Sequence, residues 1–497
     1  MTYRKLATLS AALLLSTLSA EAETLRWGRA GDAATLDPHA ATDGYTQQLL
    51  HNIYEPLIRF EPGGAVSGVL AASWLASAGD PNLWVFNLKR ATFHDGAEFD
   101  AEDVVFSINR ARAEGSAFAG DASQIISVRE TTPRTIEIRV AEPAATPPAV
   151  LSRILIMDSG WATKNGSASA TTPAADMTNG TGPYKLESRD ADVRTKLTAN
   201  ERYAGPPPAV TEVIYLPIAD AGFRAKALAW AEVEILQDVS PADLKNLDGI
   251  EDVAVESAPA NSMLYLGYKF GAGEMAETAQ NPLDNALVRE AVDRAIDRED
   301  IASFAGGDAS AIMAPSFVEG WSKGLAAQLS PNPSKAKDLL AKAGYPDGFA
   351  IKLDVAEDND ATANRIKAML TTIGIWADVV TRPQAEHEAH VASGASAFHL
   401  SSYSAPGYSS APILNWLVNG QDGYSNPALS SQVASLAGIR NKAERRTALA
   451  QAWLNVQKER IVLPLAQRRI AHAMRASVSV QPDPNGLTRF NTVRFND

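Results

Sequence analysis

The sequence contains no cysteine and only seven histidines in 497 residues. Without cysteine there is neither a disulfide framework nor the thiol that a lipid anchor needs. With so few imidazoles besides, we expect no structural metal and no cofactor. Beyond the N-terminus there is no long apolar segment free of charge, so no membrane-spanning helix is predicted.

The N-terminus is a unit of its own. Arg4 and Lys5 precede an apolar run over residues 6–18, and the small-residue triplet A-E-A follows at residues 20–22. This order predicts a secretory signal peptide, residues 1–22, that is cleaved after Ala22. The alternative, a membrane anchor, is weaker because the apolar run is too short to span a bilayer. We therefore expect a soluble protein exported to the periplasm.

The formal net charge is −13. An acidic surface argues against nucleic acid and anionic membrane as partners. The length predicts two or three domains, and the hydrophobic fraction of 45% is that of an ordinary globular protein. We see no low-complexity tract and no internal repeat.

Residues 83–112 form the most ordered pattern in the chain. Trp84, Phe86 and Leu88 alternate with more polar residues, which predicts a strand with one apolar face. The H-D-G turn at residues 94–96 follows, and Asp100 is placed to cap an amphipathic helix. Taken alone, this is a strand, a turn and a helix without a catalytic group.

The order of residues in this block is more specific than its periodicity. After A-A-S-W at residues 71–74, the run F-x-L-K-x-x-x-F-H-D-G-x-x-F-x-A-E-D-V at residues 86–104 resembles the signature of the extracellular solute-binding proteins of ABC importers, the family that includes dipeptide- and oligopeptide-binding proteins. Further matches are T-L-D-P-H, Y-E-P-L, G-T-G-P-Y and V-R-E-A-V-D-R-A-I-D-R. The resemblance extends from about Leu25 to about Val480.

The resemblance implies an α/β fold that is periplasmic-binding-protein-like (type II, cluster C), with two hinged lobes and an extra inserted domain. Domain I is then assembled from residues 23–58, 181–259 and 461–497, domain II is the insertion at residues 59–180, and domain III is residues 260–460. Two crossing strands near Pro259 and Ile461 are expected to join domains I and III. The β-α-β order over residues 349–380 predicts a doubly wound lobe whose ligand groups lie beyond strand ends.

In the first domain, the resemblance places four residues at or near the ligand cleft. Asp32 and Ala33 follow the first strand, and Gln237 and Asp238 occupy the positions after the family's G-x-V-D-I segment. The alternatives are structural. Asp32 could cap the next turn, and Asp238 could cap the helix that begins near Ala242.

In the third domain, Tyr265 lies on the strand predicted over residues 262–269, which matches the family's crossing segment. Arg382 lies just past the strand predicted over residues 376–380, and both are candidate ligand-binding residues. Asp284 is predicted to cap a helix that carries Arg289 and Asp297. For these last two, salt bridges along the helix are favoured over ligand binding.

The family's peptide-binding members cross the cleft with F-D-x-x-x-x-G-W-x-x-D-Y-x-x-P, whose second Asp pairs with the peptide's α-amino group. Residues 398–412 match this segment in its first Phe and last Pro, but Tyr408 stands in place of that Asp and S-A replaces G-W at residues 404–405. A buried ammonium needs a carboxylate partner. This departure weakens the case for a free peptide N-terminus.

Tyr403, Ser404 and Tyr408 offer hydroxyls and ring faces instead. These suit a neutral polar solute, a sugar-bearing or amide-rich ligand, or a cation held against rings. Because Asp32 or Asp238 could still hold an amine, a peptide ligand stays open.

Three short motifs resemble catalytic or metal sites but do not predict one. G-W-S-K-G at residues 320–324 matches the hydrolase pattern G-x-S-x-G around Ser322, but we expect neither a leading strand nor an immediately following helix there. H-E-A-H at residues 387–390 lacks the spacing of H-E-x-x-H, and D-N-D at residues 358–360 is too short for a calcium loop.

The resemblance implies the periplasmic substrate-binding component of an ABC importer. It would capture a peptide, or a peptide-like or amino-acid-derived compound, between domains I and III by hinge closure and deliver it to the permease complex in the inner membrane. The alternative ligands are an opine, a sugar conjugate or a metal chelate. Rivals from other classes are a secreted serine hydrolase using Ser322 and a periplasmic chaperone or chemoreceptor partner. We expect a monomer that catalyses no reaction.

Overall fold

A computed structural model describes residues 23–61, 65–142, 146–172, 174, 177–237, 239–271, 281–327, 330–404, 409–421 and 423–496. The predicted signal peptide, Asp238 and Tyr408 lie outside these residues. Among the described residues, no helix combines the length and the apolarity needed to cross a membrane.

The strands are, in chain order, β1 Thr24–Arg29, β2 Ile58–Glu61, β3 Ala65–Gly68, β4 Ala71–Ala76, β5 Leu83–Leu88, β6 Ile125–Thr132, β7 Thr135–Val140, β8 Tyr184–Asp190, β9 Arg194–Ala199, β10 Glu212–Pro217, β11 Ile235–Gln237, β12 Val253–Tyr268, β13 Gly307–Ala309, β14 Phe349–Ala356, β15 Ile375–Arg382, β16 Phe398–Tyr403, β17 Val462–Arg475, β18 Val478–Ser479 and β19 Arg494–Phe495. The α-helices are α1 Gly44–Leu50, α2 Ala101–Arg112, α3 Ala119–Ala122, α4 Ser159–Lys164, α5 Ala221–Ala229, α6 Pro241–Leu247, α7 Ala286–Ala295, α8 Arg298–Ala305, α9 Lys323–Ala326, α10 Pro333–Lys342, α11 Asp360–Thr371, α12 Gln384–Ala392, α13 Ser410–Asn419, α14 Pro427–Ser435 and α15 Lys442–Glu459.

One large mixed sheet runs through most of the molecule, in the order β15-β14-β16-β12-β17-β11-β1-β10-β9-β8, with β13 added to β17. Its two central strands are long and antiparallel. Residues 253–259 of β12 pair with residues 469–475 of β17 beside β11, whereas residues 263–267 pair with residues 462–467 beside β16. We call the β11 side the first half-sheet and the β16 side the second half-sheet.

The pairing of β12 with β17 is interrupted where the two half-sheets meet. Between Pro259 and Met263 the register shifts, so three residues of β12 face the single Arg468 of β17. Such an irregularity bends a strand and increases its twist. The Gln467 amide pins the bend, because its Nε2 donates to the Ala260 carbonyl (3.0 Å) while its Oε1 accepts from Ser316 N (2.9 Å).

The strand predicted over residues 262–269 thus begins earlier, at Val253, and the return strand begins at Val462. Residues 254–257 are exposed and show no apolar alternation, so only their pairing with β17 reveals that they belong to the strand.

The first half-sheet is built around β1, which lies parallel to both β10 and β11. Trp27 on β1 is fully buried against Phe490, with ring centroids 4.9 Å apart. α1 follows, and Asp43 is its N-cap residue. The Asp43 carboxylate accepts hydrogen bonds from Tyr45 N and Thr46 N. This cap fixes one helix that borders the join of the half-sheets.

A separate antiparallel sheet, in the order β4-β5-β7-β6, forms the core of the segment between β1 and β8. Phe86 on β5 is fully buried, as the alternation predicted. Asp100 is the N-cap of α2, and the Asp103 carboxylate accepts a hydrogen bond from the Asp100 backbone N–H. On the buried face of α2, Arg110 forms a two-pronged ion pair with Asp37, at 2.6 and 2.9 Å.

In the second half-sheet, β14 and β15 are parallel and α11 connects them, which is the predicted doubly wound order. α7 begins one residue later than expected, because the Asn285 side chain, and not that of Asp284, accepts the Leu287 N–H.

Two expectations for residues near α7 were wrong. The Arg289 guanidinium donates to the backbone carbonyls of Leu283, Asp284 and Glu459 instead of forming a helical salt bridge. Asp297 caps α8 through the Asp300 N–H. Both side chains therefore satisfy backbone groups at helix ends.

Candidate functional site

A cavity of about 780 Å³ lies where the two half-sheets join. The interrupted part of β12 and the facing part of β17 border it, and α1, β2, the end of β16 and the loop over residues 483–489 supply the other walls. The lining residues are Thr42, Gly44, Gln47, His51, Pro56, Arg59, Phe60, Asp121, Ser152, Arg153, Val239, Ala260, Asn261, Ser262, Tyr403, Ser404, Arg468, Arg469, Ile470, Ala471, Asp483, Pro484, Asn485, Gly486, Leu487 and Arg489.

The loop over residues 483–489 is held against the strands by side-chain and backbone contacts. Asn261 N donates to the Pro484 carbonyl (2.7 Å), and the Asn261 amide donates to the Asn485 side chain (2.9 Å). On the other side, Gln237 Nε2 donates to the Gly486 carbonyl (2.8 Å). The loop is therefore a fixed wall of the cavity, built on the bend of β12.

An aromatic side chain lines the cavity at the end of β16. Tyr403, the last residue of β16, stacks on Trp416 of α13 with ring centroids 4.0 Å apart and an interplanar angle of 17°. Burial raises the pKa of the Tyr403 hydroxyl to about 12, so the group stays protonated and can donate or accept. Because parallel α/β sheets place ligand groups beyond the carboxyl ends of strands, this position fits a binding role.

Arginines dominate the charge of the lining. Five of them face two aspartates, in a chain whose formal charge is −13. Three are engaged by protein groups: Arg153 pairs with Asp121 (2.5 Å), Arg469 pairs with Asp308 (2.8 Å), and Arg468 donates to Ser402 (3.0 Å) and Asn359 (2.5 Å).

The guanidinium groups of Arg59 and Arg489 differ from these three. Among the described residues, neither has a hydrogen bond or an ion pair to another side chain or backbone group. Burial, and then the charge of Arg489, lower the pKa of Arg59. Burial also lowers the pKa of the nearby His51 to about 4, so this imidazole is neutral at pH 7.

The structure places the two predicted residues after β1 beside the first half-sheet and not on the cavity lining. Asp32 Oδ2 accepts from Arg189 (3.0 Å) and from Asp192 N (2.9 Å). Ala33 is 2% exposed and belongs to the core of that half. Gln237 is behind the cavity wall, where it joins Trp27 to the loop over residues 483–489.

The predicted residues of the second half are divided between the lining and the layer behind it. Tyr403 and Ser404 line the cavity. Tyr265 is buried behind them, its ring edge-on to Trp416 at 5.5 Å. Arg382 ends β15 and forms an ion pair with Asp354, away from the lining. Asp238 and Tyr408, as stated above, lie outside the described residues.

Sequence reasoning did not identify Arg59, Arg489 or Asn261. Arg59 lies two positions after the Y-E-P-L element at residues 54–57, whose match to the family says nothing of this arginine. The D-P-N-G run at residues 483–486 is a recognisable turn signal, but it lies past Val480, where the resemblance ended.

The motifs that were set aside have structural roles. Ser322 is exposed, and its Oγ accepts from Leu325 N (3.3 Å) as the cap of α9. The expectation that no helix follows Ser322 at once was therefore wrong, because a short one does. His387 and His390 lie on α12, and the described part of the chain holds no group of three or more His, Asp or Glu side chains arranged for a metal ion.

Two half-sheets that share two long strands, with a cavity at their join, define a two-lobed solute-binding fold. The sequence profile described as "Bacterial extracellular solute-binding proteins, family 5 Middle" matches residues 65–425, which is more than half of the chain. The chain belongs to this family of extracellular solute-binding proteins.

Relatives and solved structures agree with this assignment. The chain is 26% identical over 403 residues to the dipeptide-binding protein of Escherichia coli strain K12, covering 74% of each. It is 25% identical over 471 residues to the glutathione-binding protein GsiB of Salmonella choleraesuis strain SC-B67, covering 88% of each.

Two solved structures share the fold. One is the ABC transporter-associated periplasmic binding protein DppA of Helicobacter pylori in complex with the peptide STSA (TM-score 0.77, 22% identity, 95% of this chain and 98% of that chain). The other is the binding protein AgaA of A. tumefaciens R10 with agropinic acid (TM-score 0.76, 21% identity, 95% and 99%).

Proposed function

We propose that this protein is the periplasmic substrate-binding component of an ABC importer and that its ligand is a small peptide or an amino-acid-derived compound. The observation that carries the proposal is the position of the cavity. It lies at the bend of β12 and β17, where a change of angle between the half-sheets changes the shape of the cavity directly.

The mechanism follows from the two shared strands. The register shift between Pro259 and Met263 gives the join a place to bend. Ligand contacts made only in the closed arrangement then shift the population toward that arrangement. The permease in the inner membrane then recognises the closed form. No covalent bond is made or broken in this cycle.

The division into domains and the ligand contacts belong to the same proposal. Domain I comprises residues 23–58, 181–259 and 461–497, domain II residues 59–180, and domain III residues 260–460, with export directed by the signal peptide. Tyr403 and Ser404 are the ligand contacts that the lining supports most directly, and Gln237 and Tyr265 support the walls from behind. We propose that the protein acts as a monomer.

The choice of ligand class rests on the relatives and on the cavity together. The relatives named for binding a dipeptide or glutathione concern compounds built from amino acids. A cavity of about 780 Å³ lies within the usual range for small-molecule sites. Opines, sugar conjugates and metal chelates are the competing ligands.

Native mass spectrometry of protein purified from the periplasm of its host, without denaturation, tests the proposal. We expect a fraction with extra mass, from which denaturation releases a small compound. A thermal-shift screen of peptides, opines, sugars and chelates then identifies the chemical class of the ligand. The shift is measurable because a ligand at a hundred times its Kd adds about 2.7 kcal/mol to the free energy of unfolding. Absence of a released compound together with no shift from any class would contradict the proposal.

Within the part of the chain that the structure describes, no contact of Ser322 supports the serine hydrolase alternative. The Ser322 hydroxyl is used as a helix cap, and the residue lies on the exposed surface. If ester or amide turnover is nevertheless detected, Ser322→Ala decides its origin, because loss of turnover would assign it to this residue.

A further inference from the structure

Arg59 and Arg489 line the same cavity, and their guanidinium groups form no hydrogen bond or ion pair with the described residues. Each side chain is partly buried, and the positive charge of Arg489 lowers the pKa of Arg59. Two like charges near each other and partly removed from water are unfavourable in the ligand-free protein. The nearby carboxylates offset this only by longer-range attraction, because no ion pair joins them to either arginine within the described residues. Such an arrangement calls for an anion that pairs with both.

The neighbouring carboxylates Glu55, Glu61 and Asp483 attract these charges from a distance, but none forms an ion pair with either arginine within the described residues. Both oxygens of Glu55 accept hydrogen bonds from other side chains, Oε2 from Thr181 (3.0 Å) and Oε1 from Tyr203 (3.1 Å). Asp483 Oδ1 accepts from Asn485 N (2.8 Å), and no ion pair joins this described aspartate to either arginine. The guanidinium N–H groups of Arg59 and Arg489 are therefore available to a bound ligand.

We propose that Arg59 and Arg489 form an anion subsite that holds a carboxylate, or an anionic group of the same chemistry such as a phosphate, of the transported solute. This inference rests on the proposed function and narrows it to ligands that carry a negative group. The planar guanidinium binds such groups through two parallel N–H···O bonds, which selects for geometry as well as charge.

The subsite can be tested without knowing the natural ligand, with succinate, its neutral amide succinamide, and inorganic phosphate. At constant ionic strength, we expect succinate or phosphate to raise the Tm of the full protein and succinamide to leave it unchanged. Arg59→Gln and Arg489→Gln, made separately, should each weaken anion binding by roughly tenfold to a hundredfold, the range for hydrogen bonds to charged groups. Comparing succinate with phosphate shows which anion is preferred.

The matched control is Arg129→Gln, which removes the same charge from an exposed surface pair with Glu137. It should bind anions as the wild type does. Equal binding by wild type and both cavity variants, or loss of binding in the control as well, would overturn the subsite.

The thermal-shift panel of peptides, opines, sugars and chelates distinguishes failure of the anion subsite from failure of the proposed function. If neutral solutes raise the Tm while neither succinate nor phosphate does, the anion subsite is wrong and the solute-binding proposal stands. If neither the anions nor any compound of the panel raises the Tm, both proposals fail. Because the two arginines are substituted separately, a folding defect in one variant leaves the other to decide.

Discussion

Buried arginines serve opposite purposes in two regions of this protein. Arg110, on the buried face of α2, has a side chain that is 1% exposed and is fully engaged by Asp37, His39 and backbone carbonyls. Arg59, at the cavity, is partly buried and has no such partner among the described residues. The first arginine holds the fold together, and we infer that the second is kept for the ligand.

The difference teaches that burial alone does not define the role of a charged residue. A buried charge must be paired, and the location of its partner tells whether stability or binding depends on it. Substitutions at the two places should therefore separate these properties.

The largest effect is expected from Arg110→Met. Removal of the guanidinium leaves the carboxylate of Asp37 buried without its counter-ion, which should cost about 3–5 kcal/mol of unfolding free energy. Urea denaturation measures this loss. The double variant Asp37→Asn with Arg110→Met should be less destabilised than the sum of the two single variants. A loss below about 1 kcal/mol for Arg110→Met would remove the contrast with Arg59.

The same region should show the next largest effect in its pH dependence. Burial, and then the charge of Arg110, lower the pKa of His39 from 6.5 to about 4. Between pH 6.5 and 4 the His39 side chain is therefore protonated in the unfolded chain but neutral in the folded protein. This difference lowers the free energy of unfolding as the pH falls through that window and has no effect above it.

His39→Gln, which cannot take up the proton, isolates the contribution. Between pH 6.5 and 4, the wild type should lose about 1.4 kcal/mol more per pH unit than the variant. Chemical denaturation at several pH values measures both slopes, and equal slopes would show that His39 titrates normally in the folded protein.

Arg59→Gln should change stability little, in contrast to Arg110→Met. Since it removes a partly buried charge that forms no hydrogen bond or ion pair with the described residues, the free energy of unfolding should stay within about 0.5 kcal/mol of the wild type or rise slightly. Denaturation of the ligand-free protein is the measurement. A decrease of about 2 kcal/mol or more in the free energy of unfolding would mean that Arg59 stabilises the fold and does not serve ligand binding.

The smallest effect is expected for the exposed pair of Arg129 and Glu137. The Arg129 side chain is 67% exposed, and surface ion pairs contribute little. Arg129→Gln should change the free energy of unfolding by less than about 0.5 kcal/mol. A larger loss in urea denaturation would show that solvent exposure does not rank these arginines.

Much of the fold could be predicted because its signals are local. The alternation around Phe86 and the cap at Asp100 are short-range patterns, and the structure has both. The start of α7 was misplaced because Asp284 and Asn285 are adjacent and both suit a cap. Only the hydrogen bond to Leu287 N shows which one is used.

The cavity was harder to predict because its walls come from distant parts of the chain. Asn261 and Asn485, whose side chains hold the loop to the bend, are 224 positions apart. Tyr403 could be placed because the family resemblance supplied its context. Arg59 and Arg489 carry no local signal in the sequence. They stand out only because their guanidinium groups line the cavity without a hydrogen bond or ion pair to the described residues.

The most direct test of this account is a crystal structure of the protein with the compound that co-purifies with it. We predict an anionic oxygen of that compound within about 2.7–3.2 Å of a guanidinium nitrogen of Arg59 or Arg489, with the half-sheets closed over it. A ligand that leaves both arginines unpaired, or arginines that pair with the protein's own carboxylates in the complex, would contradict it.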